Sequence, residues 1–131
     1  KAAGVAAKGM SNTSPELSDF GEGYQLFLEK HQKRYGEKPI APFHAHAYDA
    51  AMMIFVAIEK VAKKGPDVTV YIGRKALRDA LYATKNAKGL TGNLTCDKYG
   101  DCADPRIAIY KTNADNIKNL VLPDKPFWRP Y

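Results

Sequence analysis

Three histidines, two cysteines and a scatter of acids are the side chains in this 131-residue sequence with the means to do chemistry. His44 and His46 are one residue apart, a gap that puts both imidazoles on one face of an extended segment and suits a metal ligand pair. On a helix they diverge, and His31 is the single further imidazole, so no metal centre is expected. A histidine at a helix entry, facing a cleft or solvent, is the simpler reading. Asp97 and Asp101 bracket a turn but lack the ligand ladder and closing Glu of an EF-hand calcium loop. The sequence holds no Gly-x-Ser-x-Gly elbow, no Gly-rich phosphate loop with Lys and Ser or Thr, and no Cys-x-x-Cys pair. Neither enzymatic activity nor a cofactor is therefore expected.

Cys96 and Cys102 flank Asp97-Lys98-Tyr99-Gly100-Asp101, whose Asp and Gly residues favour a reversing turn. The pair reads either as a local disulfide or as two free thiols. A turn brings the sulfurs together and favours the disulfide, which in turn favours an oxidising compartment.

The elements that must position these residues follow from periodicity. Ala2 to Met10 is small and weakly apolar, suited to a buried strand or a crossing segment. Ser14-Pro15-Glu16 has the form of a helix start, with Ser as N-cap and Pro at the first helical position. A helix in two pieces, broken near Gly21 and Gly23, is predicted to follow. Tyr24, Phe27, Leu28, His31 and Tyr35 share one face of its longer piece, which ends at Gly36. From about His44 to Lys64 a second helix is predicted, with Tyr48, Ala51, Met52, Phe55, Ile58 and Ala62 as one stripe. Its other side is apolar too (Ala50, Met53, Ile54, Ala57, Val61), and a helix apolar all round belongs between two layers. A partner surface is implied. Val68 to Ile72 is a short β-branched run, and Ile72, Ala76, Leu77, Ala80, Leu81 and Thr84 repeat at the spacing of a third helix. Asn93 to Cys96 and Ile107 to Lys111 read together as a β-hairpin closed near its tip by the cysteines. The tail from Leu120 to Tyr131 should be irregular, with Phe127, Trp128 and Tyr131 as anchors.

Composition bounds the answer further. The length fits one domain, and although 45% of residues are apolar, 18 of the 131 are alanine, so bulky core side chains are sparse. The longest mostly apolar run, Ala45 to Ile58, is broken by His46 and Asp49 and is shorter than the roughly 20 residues of a membrane span. The start Lys-Ala-Ala-Gly-Val lacks a signal-peptide layout and suggests a processed or truncated product. The net charge of +6 raises nucleic-acid binding, but the basic residues sit mostly on polar helix faces among acids. A solvated surface, with no nucleic-acid partner, is expected.

Three stretches together carry a family likeness: Pro42-Phe43-His44-Ala45-His46-Ala47-Tyr48-Asp49-Ala50, Gly73-Arg74-Lys75-Ala76-Leu77-Arg78-Asp79-Ala80-Leu81, and Lys88-Gly89-Leu90-Thr91-Gly92-Asn93-Leu94-Thr95-Cys96-Asp97-Lys98-Tyr99-Gly100-Asp101. In this order they resemble the C-terminal part of the periplasmic substrate-binding proteins of ABC transporters for branched-chain amino acids. The resemblance covers about Gly4 to Tyr110 and implies an α/β fold, a fragment of the type I periplasmic-binding-protein architecture. Three helices plus a C-terminal β-hairpin are expected, with the sheet incomplete in this chain. By the same resemblance, residues 1–10 are an inter-lobe crossing segment, 11–103 the C-terminal part of the first lobe, 104–110 a second crossing strand, and 111–131 a C-terminal tail.

The implied function is extracytoplasmic capture of a branched-chain or other hydrophobic amino acid, or a related small carboxylate or amide, without catalysis, metal or cofactor. The implied location is periplasmic or extracellular, with an ABC permease of the inner membrane as partner. Phe43, His44 and Tyr48, around the start of the Tyr-Asp-Ala helix, are the candidate ligand contacts. Tyr48 would be an aromatic wall with a hydroxyl to hydrogen-bond, and it also fits a core position on the helix. Most ligand contacts of such proteins lie upstream, so this chain alone is not expected to bind. It is expected to associate with the missing N-terminal part or with itself through apolar helix faces. The competing reading is a stand-alone protein-interaction domain that uses the same apolar helix.

Overall fold

The computed structural model describes residues 3–16, 20–40, 43–102, 104, 106–119 and 125–130. They form a mixed α/β structure of four helices and short antiparallel strands whose sheets have only two strands each. The chain divides into two compact units, residues 1–19 with 105–131, and residues 20–104.

In the first unit, strand β1 (Ser11–Pro15) pairs antiparallel with a strand about 95 positions on, Ile107–Lys111, here β6, in the register Ser11↔Lys111 to Pro15↔Ile107. Alternation along β6 buries Ala108 and Tyr110 on one face, as the period of two requires. Ser14 and Pro15 thus belong to a strand and not to a helix start. Pro15 ends the strand, a position that tolerates a residue without an N–H. The capping signature is local, and a distant partner strand overrode it. The N-terminal run is a 3-10 turn, Gly4–Ala7, rather than a strand. Helix α4 (Ala114–Asn119) was not expected, although Asn113 caps it by accepting a hydrogen bond from the Asn116 N–H at 2.9 Å. In the tail, the Ile109 N–H donates to the Trp128 carbonyl at 2.8 Å, and the Phe127 N–H to the Ile109 carbonyl at 2.7 Å. The anchor is therefore backbone, since Phe127 and Trp128 keep most of their rings exposed. Leu120 to Asp124 and Tyr131 lie outside the described residues.

The second unit holds α1 (Gly21–Tyr35), α2 (His44–Val61), α3 (Arg74–Tyr82) and two antiparallel pairs of two-residue strands. Helix α1 runs unbroken from Gly21; the expected first piece falls on residues 17–19, outside the described set. Tyr24 is buried and Phe27, Leu28 and His31 are half-buried, so the predicted face holds up to its last turn, where Tyr35 is exposed. Gly36 closes the helix in the left-handed conformation, φ +78°, with its N–H donating to the Gln32 carbonyl at 2.9 Å. Open space surrounds the position a Cβ would take, so Gly36→Ala should cost backbone strain alone, about 1 kcal/mol. A urea melt followed by circular dichroism reads this directly.

Helix α2 stops at Val61, three residues early, because Lys63–Lys64 (β2) turns back to pair with Val70–Tyr71 (β3). Its buried line is Ala45, Asp49 and Ala57, with Met53 and Val61 half-buried, all at spacings of four. Helices α2 and α3 pack together. Of the expected stripe, Tyr48, Met52 and Phe55 are 46%, 42% and 58% exposed, while Ala51, Ile58 and Ala62 are half-buried. Asn93–Leu94 (β5) pairs with Ala87–Lys88 (β4), and Ile107–Lys111 with Ser11–Pro15, so the expected hairpin between residues 93–96 and 107–111 does not form. The nearer segment, joined through the Gly89 to Gly92 turn, captured β5. Among the described residues, no helix is long and apolar enough to cross a membrane.

Candidate functional site

A buried carboxylate organises the second unit. Asp49 interrupts an otherwise apolar helix surface and is 5% exposed. One oxygen, Oδ1, accepts from the Leu90 N–H at 2.8 Å; the other, Oδ2, accepts from the Thr91 N–H at 2.8 Å and the Thr91 hydroxyl at 2.7 Å. The β4–β5 turn is thereby fastened to α2. A Cβ at Gly89 would lie 2.5 Å from Asp49 Oδ2, so the glycine makes room for the carboxylate. Asp104 repeats the device on the other side of the turn: it accepts from the Asn93 N–H at 3.1 Å and occupies the space a Cβ at Gly92 would need. Gly92 also sits at φ +130°, which favours glycine. This clamp joins the Tyr-Asp-Ala and Gly-Leu-Thr-Gly stretches. Sequence reasoning missed it, although a lone acid inside an apolar helix must find hydrogen-bond donors.

Beyond the clamp, β5 leads to the cysteines. Cys96 and Cys102 form a disulfide, their Cα atoms 3.8 Å apart. The enclosed turn is held by Asp97, whose Oδ1 accepts from the Tyr99 and Asp101 N–H groups at 2.8 and 3.0 Å. Cys96 is fully buried, and its N–H donates to the Thr84 carbonyl just after α3 at 3.0 Å. The local disulfide expected from the spacing is present.

The candidate contacts Phe43, His44 and Tyr48 lie on the N-terminal end of α2, where α1 faces them with a ladder of rings. Tyr48 meets Phe27 at 5.7 Å between centroids, and His44 meets His31 edge-on at 5.6 Å. Phe43 is set apart from these two, 60% exposed and 6.2 Å from the His46 ring. The His46 ring also lies 6.3 Å from Phe20, which meets Tyr24 at 5.6 Å, and Tyr24 stacks on Phe27, so all three histidines belong to one aromatic seam. The Glu37 carbonyl accepts from His31 Nδ1 at 2.8 Å, while His46 Nδ1 is buried with no hydrogen-bond partner among the described residues. Burial pushes the Tyr24 phenol above its usual range. Among the described residues, no group of three or more His, Cys, Asp or Glu is placed to hold a metal ion.

Next to Tyr48 opens a groove of about 520 Å³ between α2, α3 and the β4–β5 turn, lined by Met52, Met53, Val56, Ala80 and Leu94. Its lining is mixed, with Lys60, Lys85 and Lys88 beside the aliphatic side chains, and Asp49 is already committed to three donors. The groove's aliphatic side chains can hold apolar matter.

The chain belongs to the family described as the receptor family ligand binding region, whose model matches residues 3–115. Among solved structures it is similar to a leucine-binding protein from Thermotoga maritima, with 23% identity, a TM-score of 0.60, and coverage of 82% of this chain and 29% of that one. It is also similar to an ABC transporter substrate-binding protein from Desulfitobacterium hafniense, with 25% identity, a TM-score of 0.61, and coverage of 97% of this chain and 32% of that one. The chain thus spans about a third of the length of these structures. Among curated proteins none matches it. The fold is that of a fragment of a type I periplasmic-binding protein.

Proposed function

We propose that this chain is part of the extracytoplasmic solute-binding component of an ABC transporter, and that the whole protein captures a branched-chain or other hydrophobic amino acid. A related small carboxylate or amide falls within the same reading. The observation that carries it is the family match over residues 3–115, joined to a fold shared with two solute-binding proteins. The role is non-catalytic: two lobes close on a solute and present it to a membrane permease. The disulfide supports an oxidising, extracytoplasmic setting.

In this reading the compact unit 20–104 is the C-terminal part of the first lobe. The pairing of Ser11–Pro15 with Ile107–Lys111 supports carrying the crossing from residues 1–10 on to Pro15, because strands bonded along their length travel together. Phe43, His44 and Tyr48 form an edge of the ligand cleft, with the Tyr48 ring as the apolar wall. The outward face of α2, with Met52, Ile54, Phe55 and Val56 each over 40% exposed, is covered by further polypeptide of the same fold. That exposed face is also what a stand-alone interaction domain would use, and the family match favours the transporter.

Uptake of labelled leucine, isoleucine and valine by cells that make this protein tests the proposal. Deleting the encoding gene should reduce uptake severalfold at low external concentration; the wild-type gene should restore it, and Tyr48→Ala should restore it only in part. Unchanged uptake of every hydrophobic amino acid after deletion would refute the assignment.

A further inference from the structure

The β2–β3 hairpin stands apart from everything the solute-binding role uses. Between Lys60 and Arg78 the sequence has six basic residues and one acid, Asp67, a strong local excess in a chain of net charge +6. Lys75 and Arg78 both pair with Asp79, at 2.5 and 2.9 Å. Lys60, Lys63, Lys64 and Arg74 have no carboxylate partner among the described residues. Amid these cations the hairpin lifts apolar side chains into water: Val68 is 99% exposed, Tyr71 60% and Val70 53%.

The hairpin is also built to hold its shape. The Gly65 N–H donates to the Thr69 carbonyl at 2.9 Å, and the Thr69 N–H donates to Asp67 Oδ1 at 2.9 Å. The Tyr71 ring lies over Gly65, where a Cβ would come within 2.8 Å of it. Hydrogen bonds from Thr69 hold the Asp67 carboxyl below the usual carboxylate range, so the one acid at the tip is engaged with its own turn.

We propose that this hairpin is a rigid, cation-flanked apolar finger that docks the protein on an anionic lipid surface. Val68 enters the boundary of the acyl region, Tyr71 sits at headgroup level, and Lys63, Lys64 and Arg74 meet the lipid phosphates. Aliphatic tip, aromatic shoulder and basic flanks are the sequence in which these side chains partition across a bilayer interface. A protein partner fits less well: strands of two residues each are too narrow to build the roughly 800 Å² per side of a stable protein interface. The inference does not rest on the transporter reading, and either stands without the other.

Co-sedimentation of the full chain with vesicles tests it. Binding to phosphatidylcholine vesicles rich in phosphatidylglycerol should exceed binding to phosphatidylcholine alone by at least about tenfold, since each basic residue near the surface contributes about fivefold. Val68→Asp should reduce it about tenfold, and the double change Lys63→Gln with Lys64→Gln by a similar factor or more. Val68→Trp should strengthen it, a gain that misfolding does not produce. No sedimentation with anionic vesicles overturns the proposal, and so does a Val68→Asp chain that binds like wild type, because charge alone then explains the attraction. Retention on immobilised poly-glutamate, equal in strength and indifferent to Val68, would assign the finger to an acidic polypeptide instead.

Discussion

Asp49→Ala is expected to lower the unfolding free energy of the 20–104 unit by about 3 kcal/mol, a fall in Tm of roughly 15 °C for a unit of this size. The carboxylate accepts three hydrogen bonds, two of them from backbone N–H groups of the β4–β5 turn, and Thr91 is itself only 3% exposed. Removing it strands these donors where water enters poorly, and that desolvation outweighs the gain from an alanine of higher helix propensity, a few tenths of a kcal/mol. Asp49→Asn should rescue little. Its single carbonyl can replace one oxygen, and its amide then points donors at donors. Asp49→Glu should also fail, since Gly89 leaves no room for a longer chain. Urea denaturation followed by circular dichroism measures the effect; a loss below about 1 kcal/mol would mean that the turn is held by something else.

Replacing Cys96 and Cys102 together by alanine is expected to cost about 2 kcal/mol, roughly 10 °C in Tm, the chain-entropy figure for so short a loop. The intervening turn keeps its own hydrogen bonds from Asp97, and Gly100 adopts φ +88° against the Tyr82 ring, so the turn is ordered by more than the cross-link. That places the loss near this figure and not above it. Wild-type protein treated with dithiothreitol should show the same shift, while the double variant should not respond. A reductant-insensitive Tm in the wild type would show that the bond contributes nothing to the folded state. Alanine is the better probe than serine, because Cys96 is fully buried and a hydroxyl there would need a partner.

The two effects fall on opposite sides of what was legible in the sequence. The disulfide rests on a short-range pattern, two cysteines around an Asp/Gly turn, and neighbouring residues suffice to form it. The same is true of the left-handed stop at Gly36 and of α2 and α3, whose apolar spacing extends over several turns. The Asp49 clamp joins residues about 40 positions apart. Its parts were visible as motifs, but the contact between them was not.

What the sequence determined by itself is therefore local: helix periods, the cap at Gly36, the disulfide turn, and the ordered set of motifs that mark the family. The tertiary structure decided the pairings. It assigned Ser14-Pro15 to a strand because Ile107–Lys111 offered backbone partners, and it paired Asn93–Leu94 with Ala87–Lys88. It also turned the Ala45, Asp49 and Ala57 line of α2 inward, leaving Tyr48 and Met52 on the open side. An all-apolar helix gives no preference between its faces, so the packing of its neighbours decides which one is buried.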